Sequence, residues 1–105
     1  MTRIEQLKQF IAEDPGDPFP RYALALEYLN HEPEVARTSF RELLEQFPDY
    51  LPAYYPAAHL LIDLGQNEEA EQVFQSGIEL ARKQNDRKTE KELRQAYEQW
   101  LFDRS

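Results

Sequence analysis

The chain has 105 residues, a length that fits one domain with a modest core. It carries a formal charge of −8 and no cysteine, which excludes a disulfide frame, a thiolate metal cluster and a cysteine nucleophile. The charge is uneven: residues 17–80 hold three basic and twelve acidic side chains, whereas residues 81–105 hold seven basic and five acidic. An acidic body repels phosphate backbones, so nucleic acid is not an expected partner. The N-terminus has no apolar h-region and no apolar run reaches the length of a membrane span. The expectation is a soluble cytoplasmic protein with no membrane association.

Apolar residues fall at helical spacing throughout, and no useful stretch alternates at period two. Ile4, Leu7, Phe10 and Ile11 form one stripe before the break Asp14-Pro15-Gly16-Asp17-Pro18. Asp17 before Pro18 reads as a helix start, because the carboxylate accepts from free N–H groups and proline at the first position forfeits no bond. The next helix is expected over 18–30, burying Tyr22, Leu24, Ala25, Tyr28 and Leu29. Glu32-Pro33 begins a third over 33–47, with Pro48 as its stop. A fourth runs from about Leu51 to Leu64, with Pro56 as a possible kink and Gly65 as a left-handed cap. Asn67 is the expected cap of a fifth helix over 68–83. After the turn Gln84-Asn85-Asp86, the last helix spans about 87–102, with Leu93, Ala96, Tyr97, Trp100 and Leu101 on one side. Thr89-x-x-Glu92 offers a later capping box as an alternative start.

Two of these segments repeat. Ala36, Phe40 and Leu44 recur as Ala70, Phe74 and Ile78, each 34 residues later. Tyr22, Ala25 and Leu29 recur as Tyr55, Ala58 and Ile62, each 33 later. The one-residue difference falls in the intervening turn, where packing constrains the chain least. A helix pair recurring at this period resembles the tetratricopeptide repeat family. The residues carrying the resemblance are Arg21, Leu24, Ala25, Tyr28, Ala36, Phe40 and Pro48 in the first repeat. In the second they are Tyr54, Ala57, Ala58, Leu61, Ala70, Phe74 and Arg82. Arg21 stands where an aromatic is usual, Glu32 where a turn glycine is usual, and Arg82 where the closing proline is usual, so the fifth helix is expected to run on toward Gln84.

The resemblance implies an all-α fold, a right-handed α-solenoid of about six antiparallel helices. One domain over 1–105 would comprise a half-repeat or cap at 2–13, repeats at 17–48 and 49–84, and a terminal cap helix at 86–102. Small residues at Ala25/Ala58 and Ala36/Ala70 would let paired helices approach, and Phe40 and Phe74 would fill the gap to the next layer.

Recognisable reaction chemistry is absent. His31 lies in a turn, and His59 has no second His or Cys at metal spacing, so it reads as a groove-wall or partly buried histidine. Ser39, Ser76, Thr38 and Thr89 have no base in a catalytic arrangement, and no Gly-rich phosphate loop occurs. The expectation is a nonenzymatic protein without metal or cofactor. The informative side chains are the six Tyr, six Phe and one Trp. Most read as core, Phe10, Tyr28, Phe40 and Phe74 among them. The resemblance further implies a concave groove lined by the first helix of each pair. Its expected residues are Phe19, Tyr22, Leu26 and Asn30, then Pro52, Tyr55, His59 and Asp63. This is an aromatic and apolar wall, without the Lys, Asn and Arg that hold peptide carboxylates in many relatives. A peptide or helix of another protein is therefore the expected ligand, in an adaptor or scaffold role. The blander readings are that caps cover the wall, or that Tyr22 and Tyr55 stack on each other. On the groove reading, a Tyr22→Ala/Tyr55→Ala double variant loses partner capture with melting nearly unchanged. The alternative function is self-association, through Trp100, Leu101 and Phe102 or around Ile4.

Overall fold

A computed structural model describes residues 1–105. The chain is all helical: α1 (Arg3–Glu13), α2 (Pro18–Leu29), α3 (Pro33–Gln46), a short 3-10 turn at Leu51–Ala53, α4 (Tyr54–Asp63), α5 (Asn67–Lys83) and α6 (Arg87–Arg104). It divides into two compact units, Met1–Ala53 and Tyr54–Ser105. In the first, α1 packs on α2 and α2 on α3; in the second, α4 packs on α5 and α5 on α6.

Side-chain caps set three of the six helix starts. Thr2 and Glu5 form a reciprocal capping box at α1: the Thr2 hydroxyl accepts the Glu5 N–H and the Glu5 carboxylate accepts the Thr2 N–H, both at 3.1 Å. At α2, the Asp17 carboxylate accepts the Phe19 N–H at 3.0 Å, and Pro18 follows as the first helical residue. Asp86 starts α6 in the same way, accepting the Thr89 N–H at 3.0 Å and the Thr89 hydroxyl at 2.9 Å. The later start at Thr89 is not used. Asn67 is the first residue of α5 and not its cap; Gln66 precedes it without a side-chain capping bond. Leu51–Ala53 form the 3-10 turn before α4, so Pro56 falls in the first turn of the α-helix, where its missing N–H has no intrahelical partner to lose. Gly65 ends this segment at φ +72°, the left-handed geometry expected of it. The fifth helix continues to Lys83, with Gln84 as its C-cap.

Both repeated alanine pairs are fully buried: Ala25 and Ala36 in the first unit, Ala58 and Ala70 in the second. Their small side chains permit the close approach of α2 to α3 and of α4 to α5. Phe74 is completely buried, with its ring centroid 5.3 Å from Tyr97 and 5.8 Å from Trp100 on α6. It fills the space between the α4–α5 pair and the following helix, and full burial of such a ring contributes about 2–3 kcal/mol. Phe40, its equivalent, is also buried. Tyr97 is held in turn: its hydroxyl donates to Glu71 at 3.1 Å and accepts from Gln75 at 3.2 Å.

Arg21 takes the usual aromatic position with a planar cation. Its guanidinium lies 5.9 Å from the centre of the Phe47 ring and donates to the Pro15 carbonyl at 3.4 Å, tying the α1–α2 turn to the end of α3. Phe10 departs from the core reading, being 51% exposed. Its stripe mates bury only in part: Leu7 is fully enclosed, whereas Ile4 and Ile11 are half-buried. A helix covered by one neighbour hides a narrower strip than its apolar pattern spans. At the other end, Trp100 is buried beneath the Arg104 guanidinium, which lies 4.5 Å from its ring centre, but Leu101 and Phe102 remain exposed.

Candidate functional site

The α2 helix presents two faces. Ala25 and Tyr28 point inward, while Phe19, Tyr22, Leu26 and Asn30 follow at spacings of three and four and share another face. That second face lines a cavity of about 390 Å³. Its wall consists of Phe19, Tyr22, Ala23, Leu26, Glu27 and Asn30, with Arg3 reaching in from α1. All four positions derived from the repeat register in this unit therefore meet in one concavity. Phe19 is 58% exposed and Asn30 is exposed, whereas Tyr22 and Leu26 are half-buried.

Arg3, Ala23 and Glu27 were not expected at this site. The Arg3 guanidinium lies 3.9 Å from the Glu27 carboxylate, and both side chains reach solvent. Glu27 follows Ala23 and precedes Asn30 on the α2 wheel, so its place on the rim was readable from helical periodicity. The arrival of Arg3 depends on how α1 crosses α2, which has no local sequence signal.

The inner edge of the face is aromatic. Tyr22 meets Tyr50 edge-on, with centroids 5.4 Å apart and planes at 61°. Burial pushes both phenols above their ordinary pKa; for Tyr50, the neighbouring Tyr22 and Asp17 add to the shift. Tyr22 thus serves the fold as well as the surface, and an edge-on pair contributes about 0.5–1.5 kcal/mol beyond burial. A Tyr22→Ala substitution should therefore lower the melting temperature, contrary to the expectation from sequence.

In the second unit, Tyr55 and His59 lie one helical turn apart on α4, with ring centroids 4.5 Å apart at a tilt of 46°. Both are exposed, as is Asp63 at the end of the helix. Tyr55 thus takes His59 as its ring partner and Tyr22 takes Tyr50. Pro52 is exposed within the 3-10 turn. Among the signature residues, Ala25, Tyr28, Ala36, Phe40, Tyr54, Ala58, Ala70 and Phe74 are buried; Leu24 is half-buried and Pro48 exposed.

No group of three or more His, Asp or Glu side chains is gathered closely enough to hold a metal ion. No helix is long and apolar enough to cross a membrane. The arrangement offers apolar and aromatic contact area with a mixed-charge rim.

Comparison with known proteins agrees with the repeat register. The tetratricopeptide repeat model matches residues 27–88. The solution structure of a tetratricopeptide repeat domain protein from Salinibacter ruber is 40% identical, over 82% of this chain and 88% of that one, with a TM-score of 0.76. A crystal structure of a tetratricopeptide repeat domain protein from the same organism is 39% identical, over 79% and 93%, with a TM-score of 0.73. A Bordetella parapertussis protein solved in solution shares the fold, with a TM-score of 0.80 over 98% and 90%, at 23% identity. No curated protein matches the chain. With the paired 33- and 34-residue registers, the buried alanine pairs and these matches in agreement, the chain belongs to the tetratricopeptide repeat family.

Proposed function

We propose that the protein is a noncatalytic, cytoplasmic interaction module that holds a peptide or amphipathic helix of another protein on the outer face of α2. In this reading the helices form one domain: a cap at 2–13, repeats at 17–48 and 49–84, and a cap at 86–102. The observation that carries the proposal is the gathering of Phe19, Tyr22, Leu26 and Asn30 around one cavity, with a large aromatic ring left open at its mouth. Tyr55, His59 and Asp63 on α4 are the corresponding positions of the second repeat. Family membership supports a protein partner, because these repeats are generally interaction modules. An exposed aromatic on a rigid helix provides contact area at low entropic cost, as a binding anchor requires.

Peptide selection from a displayed library against the purified chain tests this reading, followed by titration of the selected peptides into Phe19→Ala. Phe19 is open enough that its truncation should leave stability within about 0.5 kcal/mol. The expected result is an affinity loss of about tenfold or more with an unchanged melt. Undiminished binding to Phe19→Ala removes α2 as the docking face.

Self-association is the second reading, favoured by Phe102 at 75% exposure beside Leu101 at the end of α6. Light scattering across a concentration series checks it, and a constant monomer mass rejects it.

A further inference from the structure

We propose that the outer face of α6 docks an acidic segment of another protein, its carboxylates against Arg87, Lys88 and Lys91 and an apolar residue against Phe102. This surface belongs to the second unit and does not depend on the reading of α2.

Arg87 and Lys88 are the first two residues of α6, and Lys91 follows one turn later. The three fall within about 100° of the helix circumference, opposite the buried Leu93 and Trp100. All three are exposed, and none forms an ion pair. Two of the nearby carboxylates are already engaged. Glu90 meets Arg94 at 2.9 Å and Arg82 at 3.8 Å, while Asp86 accepts from the Thr89 N–H and hydroxyl. Lys88 acts on Asp86 only through space. Residues 82–94 hold six cations and three carboxylates, and the rest of the chain six and seventeen. With Glu90 and Asp86 taken, Glu92 alone leaves the three cations in excess.

Local helix energetics oppose this cluster. The positive end of a helix dipole disfavours cations in the first turn. Arg87 and Lys91 stand four apart and Lys88 and Lys91 three apart, so both are like-charge pairs on one face. What the cluster offers is a site for carboxylates. Phe102 lies on the same face, about 16 Å beyond Lys91 along the axis and 75% exposed. The other side of α6 packs on α5. A short segment with carboxylates at one end and an apolar residue at the other matches both ends of the face. A long polyanion does not, because nucleic acid or an anionic membrane surface extends past the patch toward the acidic remainder of the chain.

The test uses the full chain and synthetic peptides of about fifteen residues, with three glutamates placed about 16 Å from a leucine. Matched peptides carry glutamine for glutamate. Fluorescence anisotropy should show the glutamate peptides binding about tenfold tighter or more at low salt, with the gap closing as salt rises. Lys88→Gln/Lys91→Gln should abolish that gap with the melting temperature unchanged or raised, and Phe102→Ala should weaken the glutamate peptides several-fold. Phe19→Ala should leave their affinity unchanged, which separates this face from the α2 cavity. No binding, equal binding of the two peptide sets, or a preference that survives Lys88→Gln/Lys91→Gln overturns the proposal. Capture of phosphatidylserine vesicles or a single-stranded oligonucleotide in place of the peptides, lost in the double variant, assigns the face to a different polyanion. A salt-sensitive dimer by sedimentation that the double variant dissolves assigns it to a second copy of the chain. Either result overturns the acidic segment and leaves the α2 reading untouched.

Discussion

Gly77 lies in the interior of α5, fully enclosed, at a position where helix propensity and packing pull in opposite directions. In an open helix, replacing glycine by alanine gains about 1 kcal/mol. Here a Cβ would lie 2.9 Å from the Tyr54 Cβ, 3.1 Å from a Leu93 methyl and 3.2 Å from the Tyr54 ring. Carbon atoms rest at about 3.5–4.0 Å, so the neighbours must retreat by roughly half an ångström or more. The Leu93 methyl can rotate. The Tyr54 Cβ cannot, because it is bonded directly to the backbone of α4, so relief requires α4 to move off α5. Overpacking of this kind costs about 1–3 kcal/mol. Packing should win, leaving Gly77→Ala less stable by about 1 kcal/mol, with a melting temperature about 4–8 °C lower for a chain of this size. Thermal melts by far-ultraviolet circular dichroism measure the shift. Ser76→Ala is the control, because Ser76 is the exposed neighbour on the same helix and alanine there should stabilise by about 0.5 kcal/mol or less. A Gly77→Ala melt at or above that of Ser76→Ala would refute the account of how closely α4 and α5 approach.

Phe74→Ala removes a fully buried ring from contact with Tyr97 and Trp100 and should cost about 3–5 kcal/mol, read as a lower urea midpoint and a red shift of Trp100 emission. Gly65→Ala forces a Cβ into the left-handed region at φ +72° with open space around it; it should cost about 1–2 kcal/mol from backbone strain, and Gly65→Asn less. The Thr89 N–H and hydroxyl hold the Asp86 carboxyl below its ordinary pKa, so its contribution is present above the unfolded-state value and is lost as pH falls through the depressed folded one. Asp86→Asn should therefore melt below the natural chain at about pH 6, with the difference closing toward about pH 3.

The fold was legible because the core face obeys a repeat that folding itself enforces. Ala25, Ala36, Ala58 and Ala70 are small where paired helices cross, Phe74 is large where it meets α6, and Phe40 is likewise buried, so the 33- and 34-residue registers recur between the two helix pairs. Helix starts were legible where an aspartate precedes its helix, at Asp17. The Thr2-x-x-Glu5 box was equally readable and was overlooked. Phe10 was misread because periodicity gives the direction of an apolar stripe but not the width of its cover. For the cavity, register supplied the four α2 positions in the first unit, since they follow from one helix alone. Arg3 came from a second helix, and its contact with Glu27 is set by packing geometry that no local pattern encodes.

The two helix pairs also show how the signature can break without harming the core. Leu43 and Gly77 occupy equivalent positions at a spacing of 34, and Arg21 and Tyr54 at a spacing of 33. In the second pair, the glycine leaves room for the tyrosine, whose Cβ and ring lie against it. In the first pair, a fully buried leucine takes the place of the glycine, and the residue equivalent to Tyr54 is an arginine whose guanidinium lies over Phe47 instead. The glycine–tyrosine pair of the second unit is thus a leucine and an arginine in the first, with the arginine directed to Phe47 and the Pro15 carbonyl. Such exchanges act on the inner face of the helices. On the outer stripe of α2, Tyr22 is still packed edge-on against Tyr50, whereas Phe19, 58% exposed, carries no comparable packing constraint. One helix thus carries a core face held by packing and a second stripe that packing constrains only in part.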